Sequence, residues 1–174
     1  MDMIVAHTIG WMGTALYIGS YQCKSSRKLA LCQVVGGICY LIHYAMLDAY
    51  AGAGIMVFAV LSNILVCYGG GEGWSGWEGW KWLLAIGIAS SLFFTWHGLT
   101  SLLPCIAALS NHFARLTRNG KVIRLTCLCI SCPCWLAYNF LSHSWSGVFC
   151  EAVTLGSIFI SILRYGMKTL DQVD

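Results

Sequence analysis

The sequence predicts an all-α integral membrane protein with seven transmembrane helices, on three observations. The 174 residues are 58% hydrophobic and only 10% charged, with mean hydropathy +0.71. A soluble domain carries about 25% charged residues, so this chain cannot cover a water-facing surface. Apolar stretches recur at the length a helix needs to cross the hydrocarbon core, about 20 residues: 3–21, 28–47, 50–68, 80–97, 99–116, 122–141 and 146–165. With those seven spans, all ten Lys and Arg residues fall on one side of the membrane. Strands are excluded because an open strand edge leaves unpaired backbone groups in lipid.

Span one follows Met1-Asp2-Met3, which offers no basic leader region, and no cleavage signal is evident; it is expected to be a retained span and not a signal peptide. The loop beyond it holds Lys24, Arg27 and Lys28. Span two carries Gly36 and Gly37 near its middle, with Tyr40 and His43 three residues apart on one face. A short turn at Asp48 leads into span three, with Met56 near its start and Ser62 and Asn63 deeper. Residues 69–82 read GGGEGWSGWEGWKW. Their glycines suit a flexible linker, and Trp74, Trp77, Trp80 and Trp82 suit a headgroup-level aromatic belt anchoring span four.

Lys81 closes that loop. Pro104 lies near the outer end of span five, and Arg115, Arg118, Lys121 and Arg124 follow that span. Pro133 removes a backbone hydrogen bond inside span six and predicts a kink there. Gly36 and Gly37 occupy the matching region of span two, so a hinge is expected in both halves. Span seven holds Glu151 and Ser157, and Arg164 and Lys168 end the chain's basic set. The positive-inside rule then puts the N-terminus outside and the C-terminus inside. Merging or dropping one span would scatter the basic loops to opposite sides.

The two ends of the chain repeat. YLIHYAMLDAYAG, residues 40–52, and WLAYNFLSHSWSG, residues 135–147, share an aromatic, then Leu, a short polar turn, a second aromatic and Gly, at an offset of 95 residues. Three helices, a linker helix and three helices put both triplets in the same orientation, a parallel repeat about the membrane normal. The expected organisation is a triple-helix bundle over 1–69, the Trp-rich loop and linker helix over 70–98, and a second bundle with a short cytoplasmic tail over 99–174.

The GWMG start, the HYAMLDAYAG turn, the LLP at Leu102 to Pro104, the CWLAYNF stretch and the ILRY end resemble the YgjV family of bacterial inner-membrane proteins. More distantly, WLAYNFLSHSWSGVFCEAVTL is similar to the SWEET and SemiSWEET transporters of the MtN3/PQ-loop group. That second resemblance implies a 3+1+3 transporter fold with a solute site made by a Trp on the second helix of each triplet and an Asn on the third. The matching positions here are Trp135 and Glu151, with Tyr40 and Met56 in the first half. Met56 and Glu151 replace the Asn pair, so a small solute other than a simple sugar is expected. Of the family's four prolines, this chain has only Pro104 and Pro133 in all.

The residues lead to the same place unaided. Trp135 lies six residues before the end of span six and Glu151 five residues after the start of span seven, each roughly 8–9 Å from the outer helix end. Tyr40 and Met56 lie at similar depth, so one ring of four side chains is expected. His43 and Asn139 join it as face-sharing neighbours of Tyr40 and Trp135. An acid in the bilayer interior costs several kcal/mol, faces the bundle or a wet cavity, and favours its neutral form. Glu151 is therefore expected to carry a proton or meet a cationic ligand. Ser62, Asn63 and Ser157 would line a deeper stretch or bridge helices. His7, His97, His112 and His143 fall near span ends, where exposure is expected.

CLCISCPC, Cys127 to Cys134, invites a metal reading. On a regular helix Cys127 and Cys134 share one face and Cys129 and Cys132 another, so the four thiols do not converge. No disulfide framework and no cofactor are expected. No nucleotide loop, nucleophile motif or catalytic carboxylate pair is present, which argues against an enzyme. The expected partners are the lipid bilayer and a small-molecule solute, not nucleic acid; homo-oligomerisation is compatible with the sequence. The alternative is a receptor or interaction protein on the same fold, for which the Trp-rich loop would be essential and Glu151 dispensable.

Overall fold

The structure, a computed structural model, describes residues 2–20, 26–68, 79–116 and 120–165. The Trp- and Gly-rich loop expected at 69–82 lies outside the described residues up to position 78, and so do Lys24, Arg118 and Lys168. The described residues are helical, without strands: α1 (Asp2–Ser20), α2 (Ser26–Met46), α3 (Tyr50–Tyr68), α4 (Trp80–Phe94), α5 (Leu102–Leu116), α6 (Gly120–Thr126), α7 (Cys132–Leu141) and α8 (Trp145–Tyr165). A 3-10 turn at Leu99–Ser101 precedes α5, and a π turn at Cys127–Ser131 joins α6 to α7. The chain forms two compact units, Met1–His97 and Gly98–Asp174, and α4 belongs to the first.

Within the first unit α2 packs against both α1 and α3, and α4 packs against α3. Gly36 and Gly37 make that packing close. A Cβ on Gly36 would lie 2.9 Å from the Tyr17 ring, and one on Gly37 would lie 2.7 Å from Val60. Small residues at a helix contact let backbones approach in this way, and α2 runs unbroken through both positions. In the second unit α7 packs against α5 and α8. Pro104 is buried in the first turn of α5, where a missing N–H costs nothing. The kink expected at Pro133 takes the form of the π turn just before it. A proline has no N–H for the carbonyl four residues back and its ring crowds that carbonyl, so the preceding turn widens to an i→i+5 pattern.

The turns that close α2 and α7 have the same construction, 95 residues apart. Asp48 N–H donates to Ala45 O (3.3 Å) and Ala49 N–H to Tyr44 O (2.9 Å). His143 N–H donates to Phe140 O (3.2 Å) and Ser144 N–H to Asn139 O (2.8 Å). Both are Schellman caps with the C′ residue left-handed, at φ 55° for Asp48 and 54° for His143. Left-handed backbone costs a residue with a Cβ about 1–2 kcal/mol. His143→Gly is therefore expected to raise stability by about 1 kcal/mol in a denaturation series. Asp48→Gly should gain less, because it also loses the 2.8 Å bond that Tyr50 Oη–H donates to Asp48.

Among the described residues no helix is long and apolar enough to cross a membrane. This departs from the seven spans that the sequence predicts. α4 and α5 have 15 residues each, against about 20 for a span. Asp2, His7, Thr8 and Thr14 interrupt the apolar content of α1, and the stretch through Cys127 is divided by the π turn. The burial pattern still suits lipid. Phe93 (86%), Phe94 (83%) and Ile4 (75%) are the kind of side chain left exposed, while Thr14, Gln33, His43, Asn63, Ser131 and Asn139 are buried.

Candidate functional site

In the first unit the candidate residues build on α2. Tyr40 and His43 are three residues apart, and the helical pitch turns both toward α1. The Tyr40 hydroxyl shares a hydrogen bond with Thr14 of α1. Its ring stacks on Tyr44 at 5.7 Å and meets the Tyr17 edge at 5.7 Å. His43 is fully buried, and its Nδ1 lies 2.7 Å from the Ala6 carbonyl oxygen. A carbonyl can only accept, so Nδ1 carries the proton, and in the neutral ring Nε2 is an acceptor.

His7 stands 5.8 Å from His43, ring to ring, and its Nδ1 is buried without a hydrogen-bond partner. An orphaned buried polar atom costs about 1–3 kcal/mol. The exposure expected for His7 is met in part: the residue is half-buried, with its Nδ1 turned away from solvent. Met56, on α3, is half-buried. Ser62 is half-buried and Asn63 buried on the same helix.

The second unit holds the other set. Trp135 is buried and meets Tyr138 edge-on at 5.9 Å and 79°. This matches the Tyr40–His43 pair, at 6.1 Å and 75°, position for position at the 95-residue offset. Asn139, which has 1% exposure, corresponds to buried Tyr44. Glu151 keeps some exposed surface, although its carboxyl group itself is densely surrounded. The Cys132 thiol lies within hydrogen-bonding reach of that carboxylate. Asn111 donates from Nδ2 to the Ser131 hydroxyl at 2.7 Å, tying α5 to the π turn. Ser157 is exposed.

The structure thus brings Tyr40 and His43 together in one unit, and in the other sets Glu151 against a cysteine that the regular-helix argument assigned elsewhere. Cys132 pairs not with Cys129 but with Cys127, at 3.3 Å between sulfurs. The reason is the π turn: Cys132 N–H donates to Cys127 O, which stacks positions five apart. Sequence reasoning also missed Thr14, His7 and Asn111. A polar residue within an apolar stretch was the available signal for each. Among the described residues no group of three or more His, Cys, Asp or Glu is arranged to hold a metal ion.

Comparison with curated proteins finds no match, and comparison with solved structures finds none. The family model described as "Bacterial inner membrane protein" matches residues 4–169. That range takes in both units and every candidate residue. The membrane chemistry of the composition, the apolar exposed surface and this match agree, and the chain belongs to the Imp-YgjV family of bacterial inner membrane proteins.

Proposed function

We propose that the protein moves a small solute across the bacterial inner membrane by alternating access. The observation that carries this reading is the matched construction of the two units. The same Schellman turn, the same left-handed C′ residue and the same edge-on pair recur 95 residues apart. On this reading the two halves are a parallel repeat, one of the plans on which secondary transporters are built, with the solute bound near the midplane. On this reading the helices form a SWEET-like 3+1+3 arrangement of seven spans, with the N-terminus outside and the C-terminus inside. The candidate solute contacts are Tyr40, His43 and Met56 in the first unit and Trp135, Asn139 and Glu151 in the second. Gly36, Gly37, Pro104 and Pro133 are the places where the helices would flex.

The groups available favour a solute that is neither large nor purely apolar. His43 offers an uncharged acceptor, Tyr40 and Trp135 offer aromatic faces, and Glu151 offers a carboxyl group. Where the SWEET pattern has two Asn residues, this chain has Met56 and Glu151, which supports a solute other than a simple sugar. No cofactor or catalytic role is needed. Flux into proteoliposomes tests the proposal. Trp135→Ala and Glu151→Gln are each expected to reduce uptake of a stabilising solute at least about tenfold, as loss of one good contact does. Unchanged uptake in both variants would end it.

A further inference from the structure

We propose that Cys127 and Cys132 form a dithiol modification site that a small uncharged disulfide oxidises to an intrahelical disulfide. The inference needs only residues of the second unit and stands apart from the transport reading.

The geometry is specific to the π turn. On a regular α-helix residues five apart are rotated by about 140° and their side chains diverge. Here the Cys132 N–H bonds to Cys127 O, the two residues stack one turn apart, and their sulfurs approach to 3.3 Å. Closing a disulfide requires a further approach of about 1.3 Å. Neither cysteine is in a disulfide in the structure. Their surroundings differ: Cys127 is half-buried and Cys132 buried. The half-buried thiol is the one a small disulfide reaches first, and the buried thiol beside it is placed to resolve the mixed disulfide through which exchange proceeds.

The sequence of bonds follows from that difference. Cys127 sulfur attacks one sulfur of the small disulfide. A mixed disulfide forms, and the first small thiolate leaves and takes the Cys127 proton. Cys132 sulfur then attacks the Cys127 sulfur. The protein disulfide forms, and the second small thiolate leaves and takes the Cys132 proton. The dithiol loses two electrons and two protons; the small disulfide gains both and becomes two thiols.

The test uses the purified full chain carrying Cys129→Ser, which removes an exposed thiol that stands outside the pair. It is treated with 2-hydroxyethyl disulfide, the remaining thiols are alkylated, and the peptide containing Cys127 and Cys132 is weighed. The expected product is lighter by two hydrogens, with neither of these cysteines alkylated. Cys132→Ser should stop at the mixed disulfide on Cys127. The proposal falls if the Cys129→Ser chain yields only a mixed disulfide, or if Cys127 joins Cys134 instead.

Discussion

Glu151→Gln is expected to remove the thermal stabilisation that a bound solute confers, while leaving the unliganded protein as stable as before. The substitution keeps the size of the side chain. Its amide oxygen can still accept from the Cys132 thiol, as the carboxylate does. What it deletes is the ability to gain and lose a proton, the property that makes an acid in this setting functional. A solute that binds only the native state stabilises it by about 2.7 kcal/mol at a hundred times its Kd. Pools of metabolites screened at one mildly acidic and one mildly alkaline pH should therefore shift the wild-type melting temperature by several degrees and the variant by none. Equal shifts in both proteins would remove Glu151 from the solute site.

Gly147→Ala should be the most damaging of the glycine-to-alanine changes in α8. Its added Cβ would overlap Asn139 Oδ1 and lie 2.5 Å from Asn139 Cγ. Asn139 cannot swing away, since it has 1% exposure and sits inside the turn that closes α7. Forcing atoms into a filled core costs about 1–3 kcal/mol, and more when the neighbour is held; about 3 kcal/mol is expected here. Gly156→Ala, in the same helix, supplies the contrast. Its Cβ would meet nothing within 4 Å, so the only effect is the better helix propensity of alanine, a gain of about 0.5–1 kcal/mol. Denaturation of the purified protein reads both. Effects of the same sign in the two variants would refute this packing argument.

The helices were legible because hydrophobic run length and charge position are local properties. The predicted starts and ends of spans two, three and seven lie within two residues of α2, α3 and α8. The polar turns at Asp48 and His143 were visible as interruptions, and their 95-residue offset was visible as a repeat. The failures have particular causes. Span six was read with a constant pitch of 3.6 residues per turn, and that assumption set Cys127 and Cys132 on different faces. His7 was judged by its distance from a span end, yet its fate depended on which side of α1 meets α2. Gly147 was noticed only as a repeat position, because nothing in a sequence says that Asn139 fills the space beside it.

By itself the sequence determined an all-helical inner-membrane chain and the position of most of its helices. Those features follow from the cost of exposing polar groups to lipid, which acts on each stretch separately. Only the tertiary structure decided which side chains meet: Cys127 with Cys132, Cys132 with Glu151, His43 with the Ala6 carbonyl, and Gly147 with Asn139. Such pairings depend on helix register and local pitch. A single widened turn rotates every residue before it relative to every residue after it, and that rotation leaves no mark in hydropathy.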